Sequence, residues 1–286
     1  MASPSFKLYQ KGIKLLWGMG VGAPAIEAKV LMLKATGLSE EKFFASPERE
    51  LNRREEKKFE RLLEKRLSGF PLAYVVGEKE FWSLALKTPA GVFIPRPETE
   101  LLVEKVIELS SRGEETIIDI GTGSGNIAVA LARELPRARI VATDISAKAI
   151  KAARLNAETH GAANIQFVQG NLYSALRGLD LEGTGDFIVC NPPYVSPEEW
   201  NHLPGPIRNH EPQRALVPGR TGLEFIRRLV RGAPAYLKPG AFLVFEIGQG
   251  QADKALTLFD DRWTQAESFN DLSGIPRLIR GRTILT

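Results

Sequence analysis

The sequence predicts an α/β domain built on a parallel sheet, preceded by a small all-α helical bundle and a β-hairpin connector. Three observations carry this. Up to about residue 70, apolar residues recur three or four apart, the spacing of amphipathic helices. From Pro71 to Pro95 the pattern shifts to β-branched and aromatic residues around turn formers. From residue 116 onward, short apolar runs alternate with helical patterns, as a parallel sheet with crossover helices requires.

The helical patterns are SFKLYQKGIKLLWGMG, APAIEAKVLMLKATG, SEEKFFASPEREL and NRREEKKFERLLEKRLSG, punctuated at Gly20, Gly22, Pro24, Gly37 and Pro47. Within them RREEKKFERLLEKR (Arg53–Arg66) mixes both signs of charge at helical spacing and reads as a solvated helix face. The bundle is assigned to 1–74. The hairpin falls at 75–95, where Gly77 and TPAG supply the turns, and the sheet domain at 96–286. The strands of that domain are TIIDI (116–120), ARIVATD (138–144), IQFVQG (165–170), DFIVC (186–190) and AFLVFEI (241–247). Helical patterns follow the first two, SGNIAVALARELP and ISAKAIKAARLNAETHG.

Composition narrows the function classes. The 286 residues suffice for two domains, and 43% hydrophobic with 25% charged residues is ordinary for a compact soluble protein. Lys and Arg exceed Asp and Glu by 38 − 34 = 4, without the concentrated basic stripe of a dedicated nucleic-acid binder. Cys190 is the only cysteine, which excludes an internal disulfide, and His160, His202 and His210 are scattered, which argues against a structural zinc. No metal is expected. No apolar run reaches the roughly 18 residues of a membrane span, and the first residues lack the apolar core of a signal peptide. A cytoplasmic protein is the expectation.

Two motifs carry chemistry. In DIGTGSGNIAVALA (Asp119–Ala132), Gly121, Gly123 and Gly125 leave a buried strand and open a helix, so a ligand can approach the backbone. The spacing G-x-G-x-G departs from the dinucleotide fingerprint G-x-G-x-x-G, which weakens a nicotinamide reading. Asp144 closes the next strand, about 20 residues on, where an acid can accept from both hydroxyls of a ribose. It also stands where it could cap the following helix. Together the glycine turn and the acid favour an adenosine-containing ligand.

The second motif is NPPY, Asn191–Tyr194, at the end of DFIVC. Asn191 offers a carbonyl acceptor and an amide donor, Pro192 and Pro193 have no N–H and stiffen the turn, and Tyr194 adds a flat face. Acceptors beside an aromatic suit a planar NH2 group, amide or exocyclic amine. Such a nitrogen is a poor nucleophile because its lone pair is delocalised. Hydrogen bonds that strengthen as positive charge grows on nitrogen would assist its attack.

At these residues the sequence resembles the class I S-adenosylmethionine-dependent methyltransferases that act on planar amino groups. FIPRPETE (93–100), DIGTGSGNIA, NPPYV, HEPQRALVPGRTGLEFIRRL (210–229), FEIGQGQ (245–251) and DLSGIPR (271–277) together resemble the HemK/PrmC family, over nearly the whole chain. NPPY alone is shared with DNA adenine methyltransferases. The resemblance implies a Rossmann-like methyltransferase domain and methylation of the glutamine amide in the GGQ motif of class I peptide chain release factors, with the helical domain recognising the partner. It implies that Gly121, Thr122, Gly123, Ser124 and Gly125 hold the methionine and ribose portions of the cofactor. Asp144 would hold the ribose hydroxyls, and Asn171 and Leu172 would border the adenine. Asn191, Pro192, Pro193 and Tyr194 would hold the substrate glutamine, Asn191 lying at the cofactor as well. Where the family commonly carries Asp in a GD pair, this chain has Asn171, which can still accept from an exocyclic amine. FIPRPETE is implied to help cover the cofactor, and HEPQRALVPG reads as a functional loop. The alternative reading is a nucleic-acid adenine N6-methyltransferase, which would flip its base into the site. A non-catalytic cofactor-binding adaptor is disfavoured by the intact NPPY.

Overall fold

The computed structural model describes residues 4–111 and 114–285. The chain forms two compact units. One runs to Glu78 and includes Gly205–His210; the other comprises Lys79–Pro204 and the chain from Glu211 onward.

The first unit consists of α1 (Ser5–Gly18), α2 (Pro24–Thr36), α3 (Glu40–Ala45), α4 (Arg53–Leu67) and α5 (Leu72–Val76). Leu16, Leu31, Met32, Phe43, Leu51 and Phe59 are its fully buried centre, each such side chain contributing about 1.5–3 kcal/mol. The charged run becomes α4, opened by a complete capping box between Asn52 and Glu55. Its charges face outward with one exception. Arg66 is buried beside Phe59, Leu62 and Leu63, and forks onto Glu27 at 2.6 and 3.2 Å, a geometry that satisfies an otherwise costly cation. Gly205–His210, remote in sequence, joins this unit, and His210 stacks on Phe70 with ring centroids 4.0 Å apart.

From Lys79 the second unit opens with a hairpin of β1 (Glu78–Phe81, its first residue counted with the first unit) and β2 (Leu84–Lys87). Trp82 and Ser83 form its two-residue turn with φ of 51° and 59°, values that match hairpin twist but are unfavourable for residues with side chains. Glu100 accepts from the Trp82 backbone N–H at 2.8 Å and Glu134 from the indole N–H at 2.8 Å, which holds the turn. Then follow α6 (Glu100–Leu109), β3 (Thr116–Ile120), α7 (Asn126–Glu134), β4 (Arg139–Asp144), α8 (Ala147–Thr159), β5 (Ile165–Gln169) and β6 (Gly185–Cys190). The chain continues through α9 (Pro197–His202), α10 (Gly205–His210, counted with the first unit), α11 (Glu224–Gly232), β7 (Leu237–Glu246), α12 (Ala252–Leu256), β8 (Trp263–Asn270) and β9 (Pro276–Thr283).

The seven-stranded sheet has the order β5-β4-β3-β6-β7-β9-β8. The five expected strands pair in parallel, and β9 runs antiparallel to both β7 and β8. This is the Rossmann-like sheet domain expected from the sequence, closed by a β8–β9 pair that the apolar pattern does not reveal. Side chains alternate along β3 into two cores: Ile117 joins Leu102, Leu131 and Ile140 on one face, and Ile118 joins Ile188, Leu229 and Phe245 on the other. The chain winds outward from β3 through β4 to β5, then returns to place β6 on the opposite side of β3. The carboxyl ends of β3 and β6 therefore flank a topological switch point, where open α/β sheets bind ligands.

One buried side chain fixes the hairpin to the loop after β3. Asn156 on α8 is fully buried, accepts from Lys87 N–H at 2.7 Å, and donates to Lys87 C=O at 3.0 Å and Ser124 C=O at 2.8 Å. Removing it leaves polar groups without a partner. Asn156→Ala is expected to lower the unfolding free energy by about 2–3 kcal/mol, measured by urea denaturation. A loss below about 0.5 kcal/mol would show that the three bonds carry little of the fold.

Candidate active site

The glycine turn at the end of β3 is built by backbone bonds. Gly121 and Thr122 both donate to Thr143 C=O at 2.8 Å, and Gly123 donates to Asp144 Oδ2 at 2.9 Å. Gly125 stands just before α7 with φ of 83°, and a Cβ there would lie 3.0 Å from the Ala153 methyl. Only glycine meets both conditions. The other Asp144 oxygen accepts from Ser146 N–H at 2.8 Å, and the cap of α8 is Ser146 itself, which accepts from Ala149 N–H. Asp144 thus ties the glycine turn to the start of α8 while retaining lone pairs on both oxygens. Burial raises its pKa, opposed by the Ser146 and Gly123 N–H groups and by Arg214.

A cavity of about 330 Å³ opens at this switch point. Of the residues expected from the sequence, Gly121, Gly123, Asp144, Asn171, Leu172, Asn191 and Pro193 line it. Thr122, Ser124, Gly125 and Pro192 are buried behind it, and Tyr194 is turned towards Glu246. Leu172 holds φ of 51°, a strained conformation of the kind that collects at ligand sites. Further lining comes from segments that the sequence marks without singling out side chains. These are Phe93 at the start of FIPRPETE with Val92 before it, Arg214 and Ala215 in the HEPQRALVPG loop, and Phe225 and Arg228 on α11. The two loops are clasped together by Glu211, whose buried carboxylate accepts from Ile94 N–H at 3.2 Å and from Arg96 at 2.6 Å.

The NPPY turn is held from below by residues remote in sequence. Asn191 Nδ2 donates to Thr99 Oγ1 at 2.9 Å, Thr99 Oγ1 donates to Glu246 Oε2 at 2.6 Å, and Tyr194 O–H donates to Glu246 Oε1 at 2.9 Å. Gln251 donates to Tyr194 C=O at 2.9 Å and accepts from Gly248 N–H at 2.9 Å. Gly222, with φ of 79°, passes so close that a Cβ would lie 2.4 Å from that same carbonyl oxygen. Burial raises the Glu246 pKa, opposed by hydrogen bonds from Thr99 and Tyr194. Burial, with the nearby Glu246 carboxylate, pushes the Tyr194 phenol well above its usual value. Tyr194 is therefore a fixed donor at neutral pH and no base. Thr99 and Glu246 stand in the quoted PRPETE and FEIGQGQ segments, yet only the fold shows that they touch Asn191 and each other.

Asp119, the acid of β3 before the turn, is fully buried, and among the described residues no well-aligned hydrogen bond reaches either carboxylate oxygen, Thr122 and the Ala128 N–H making only loose ones. Ile120 and Gly121, next in the chain, line the cavity. Burial pushes Asp119 up to about 7, with Asp144 adding to the rise and Thr122 and Ala128 opposing it. A buried acid without a well-aligned partner beside a cavity fits a ligand carrying positive charge. S-adenosylmethionine meets that description with its sulfonium and ammonium groups, and the Asp144 carboxylate suits its ribose.

The raised pKa has a consequence for stability. An unfolded Asp ionises near about 4, so between roughly pH 4 and pH 7 the folded protein keeps a proton that the unfolded chain has lost. Stability of the free protein should fall as pH rises through that window and level off above it. Asp119→Asn, which mimics the protonated acid, should flatten the slope to the smaller one left by Asp144 and Glu246, whose pKa values burial also raises, and raise the ligand-free melting temperature at pH 8. A parallel pH dependence in the two proteins would show that another group is responsible.

Comparison with known proteins gives the family. The PrmC N-terminal domain family matches residues 7–77, and the methyltransferase small domain family matches residues 83–203. A release factor glutamine methyltransferase of Coxiella burnetii is 40% identical over 261 residues, covering 91% of this chain and 92% of that protein. One of Moorella thermoacetica is 40% identical over 271 residues, covering 93% and 94%. Among solved structures, a methyltransferase from Pyrococcus furiosus superposes with a TM-score of 0.50 at 18% identity, over 70% of this chain and 89% of that one, a likeness of fold. By this identity, which extends over more than nine tenths of the chain, the chain belongs to the family of release factor glutamine methyltransferases.

Proposed function

We propose that this protein transfers a methyl group from S-adenosylmethionine to the side-chain amide nitrogen of the glutamine in the GGQ motif of class I peptide chain release factors, in the cytoplasm. The observation that carries the reading is the corner at the end of β6. There Asn191 and Pro193 line the cavity, on a turn whose two prolines lack N–H groups that would compete for its carbonyls. A side-chain carbonyl beside prolyl carbonyls with no competing N–H offers acceptors for the two N–H bonds of a primary amide.

When bound, S-adenosylmethionine supplies an electrophilic methyl carbon on a sulfonium. The residues of the chain do the rest. Gly121, Gly123 and Asp144 would hold the nucleoside side of the ligand, Asn171 and Leu172 would border its adenine, and Asp119 would offset its positive charge. Asn191 Oδ1 and the Pro192 carbonyl would grip the amide N–H bonds, and those hydrogen bonds strengthen as the nitrogen pyramidalises and becomes positive. No base is needed before transfer, since the nitrogen becomes acidic only once it carries the fourth substituent. Orientation supplies the other large contribution, because a nitrogen held in line with the methyl carbon reacts as if at very high local concentration. The helical unit would recognise the body of the release factor.

The test is a methylation assay with radiolabelled cofactor and a purified release factor, beside the same factor with the GGQ glutamine replaced by alanine. Label should enter only the former. Equal label in both, or transfer to an adenine-containing oligonucleotide and not to the release factor, would overturn the reading. Asn191→Ala should lower kcat at least about 100-fold, near 2.7 kcal/mol of barrier, and leave the cofactor Kd within about threefold. Loss of cofactor affinity alone would remove Asn191 from the chemistry.

A further inference from the structure

We propose that Glu246 is a positioning residue that decides which end of the Asn191 side chain faces the cavity, and thereby makes the site select a substrate that presents N–H donors over one that presents an acceptor such as a carboxylate. The inference rests on the reading of Asn191 as the substrate-gripping residue.

The two ends of an asparagine amide are nearly the same size, so shape alone does not orient Asn191. Its neighbours must do so through proton bookkeeping. The Thr99 hydroxyl has one proton, and the 2.6 Å contact with Glu246 Oε2 commits it there. The hydroxyl bonds from Thr99 and Tyr194 oppose the rise that burial causes in the Glu246 pKa, and in the carboxylate form they favour Glu246 has no proton to return, its other oxygen being occupied by the Tyr194 hydroxyl at 2.9 Å. Towards Asn191, Thr99 therefore presents only lone pairs. Nδ2 can meet them with a hydrogen bond, as it does at 2.9 Å; Oδ1 in that place would set acceptor against acceptor in a site where Thr99 is 1% exposed. Oδ1 is left as the polar end available to the cavity. The order Asn191 to Thr99 to Glu246 is thus a one-way relay whose direction is set at its buried acid. A primary amide completes it by donating to Oδ1. A carboxylate in the same position meets an acceptor and is repelled.

In Glu246→Gln one end of the introduced amide must donate. When that end faces Thr99, the hydroxyl proton is released towards Asn191 and the relay reverses, turning Nδ2 to the cavity. Thr99→Val removes the anchor and leaves both orientations open. We expect Glu246→Gln and Thr99→Val each to lower kcat on a release factor at least about tenfold while the cofactor Kd stays within about twofold. A release factor with glutamate in place of the target glutamine should be a poor competitor of the wild type. Its KI relative to the KM of the normal substrate should fall at least about tenfold in both variants. Thr99→Ser should recover most of the turnover that Thr99→Val loses. Should Glu246→Gln fail to fold, the Thr99 pair carries the test alone. Wild-type turnover in the variants, or lost turnover with an unmoved KI to KM ratio, overturns the proposal, the latter because it marks a merely structural role. A neutron structure of the wild type separates this inference from the function on which it rests. Oδ1 against Thr99 refutes the relay whatever the substrate, whereas Nδ2 against Thr99 with no methylation of any release factor refutes the substrate and leaves the relay standing.

Discussion

The parallel pairing of β3 with β6 brings the two chemical turns of this protein side by side. Ile117, Ile118 and Asp119 lie against Phe187, Ile188 and Val189, so the glycine turn and the NPPY corner leave the same edge of the sheet on neighbouring strands. Neither turn binds and orients anything alone. The pairing itself is driven by burial on both faces, since β3 and β6 sit at the centre of the sheet with their apolar side chains divided between two cores. Ordinary hydrophobic packing thereby sets the distance between the ligand turn and the reacting corner.

Around that edge the protein maintains several polar groups in places where they are expensive to bury. Asp119, Glu211 and Glu246 are all buried acids. Glu211 and Glu246 are satisfied by donors from other segments, and each thereby joins pieces of chain more than 50 residues apart. Asp119 lacks a well-aligned donor, and it lies nearest the turn where a cation would enter. The pattern is the usual one for a site: polar groups are fixed in advance where they must orient a substrate, and stability is given up where a ligand completes the shell. Gly222 and Gln251 extend the same logic to the backbone, packing against and pinning the Tyr194 carbonyl so that the corner cannot relax.

Much of this was legible in the sequence. The strands 116–120, 138–144 and 186–190 stand out as apolar runs because central parallel strands are buried on both faces, 165–170 shows the mixed pattern of a sheet edge, and the observed strands match all four within a residue. The last two strands were not legible. Trp263–Asn270 is the exposed edge of the sheet and mixes Thr, Gln, Glu and Ser, while Pro276–Thr283 carries Arg and Gly between its apolar residues, so neither shows a run or a clean alternation. The joining of Gly205–His210 to the helical unit was equally invisible, since nothing local distinguishes a loop that returns to another unit from one that does not.

The sequence by itself determined the alternation of strands and helices, the glycine turn, the acid at the end of the second strand and the rigid Asn-Pro-Pro corner, because each is a local property of spacing or of residue stereochemistry. The tertiary structure alone decided that Thr99 and Glu246 stand behind Asn191, that Glu211 clasps two loops over the cavity, and that Asp119 is left without a well-aligned partner. These are contacts across 92 to 147 positions in the first case and 115 to 117 in the second. A hydrogen bond across such a span leaves no periodic trace in the chain, because its geometry is set by how whole elements pack and not by the residues beside it.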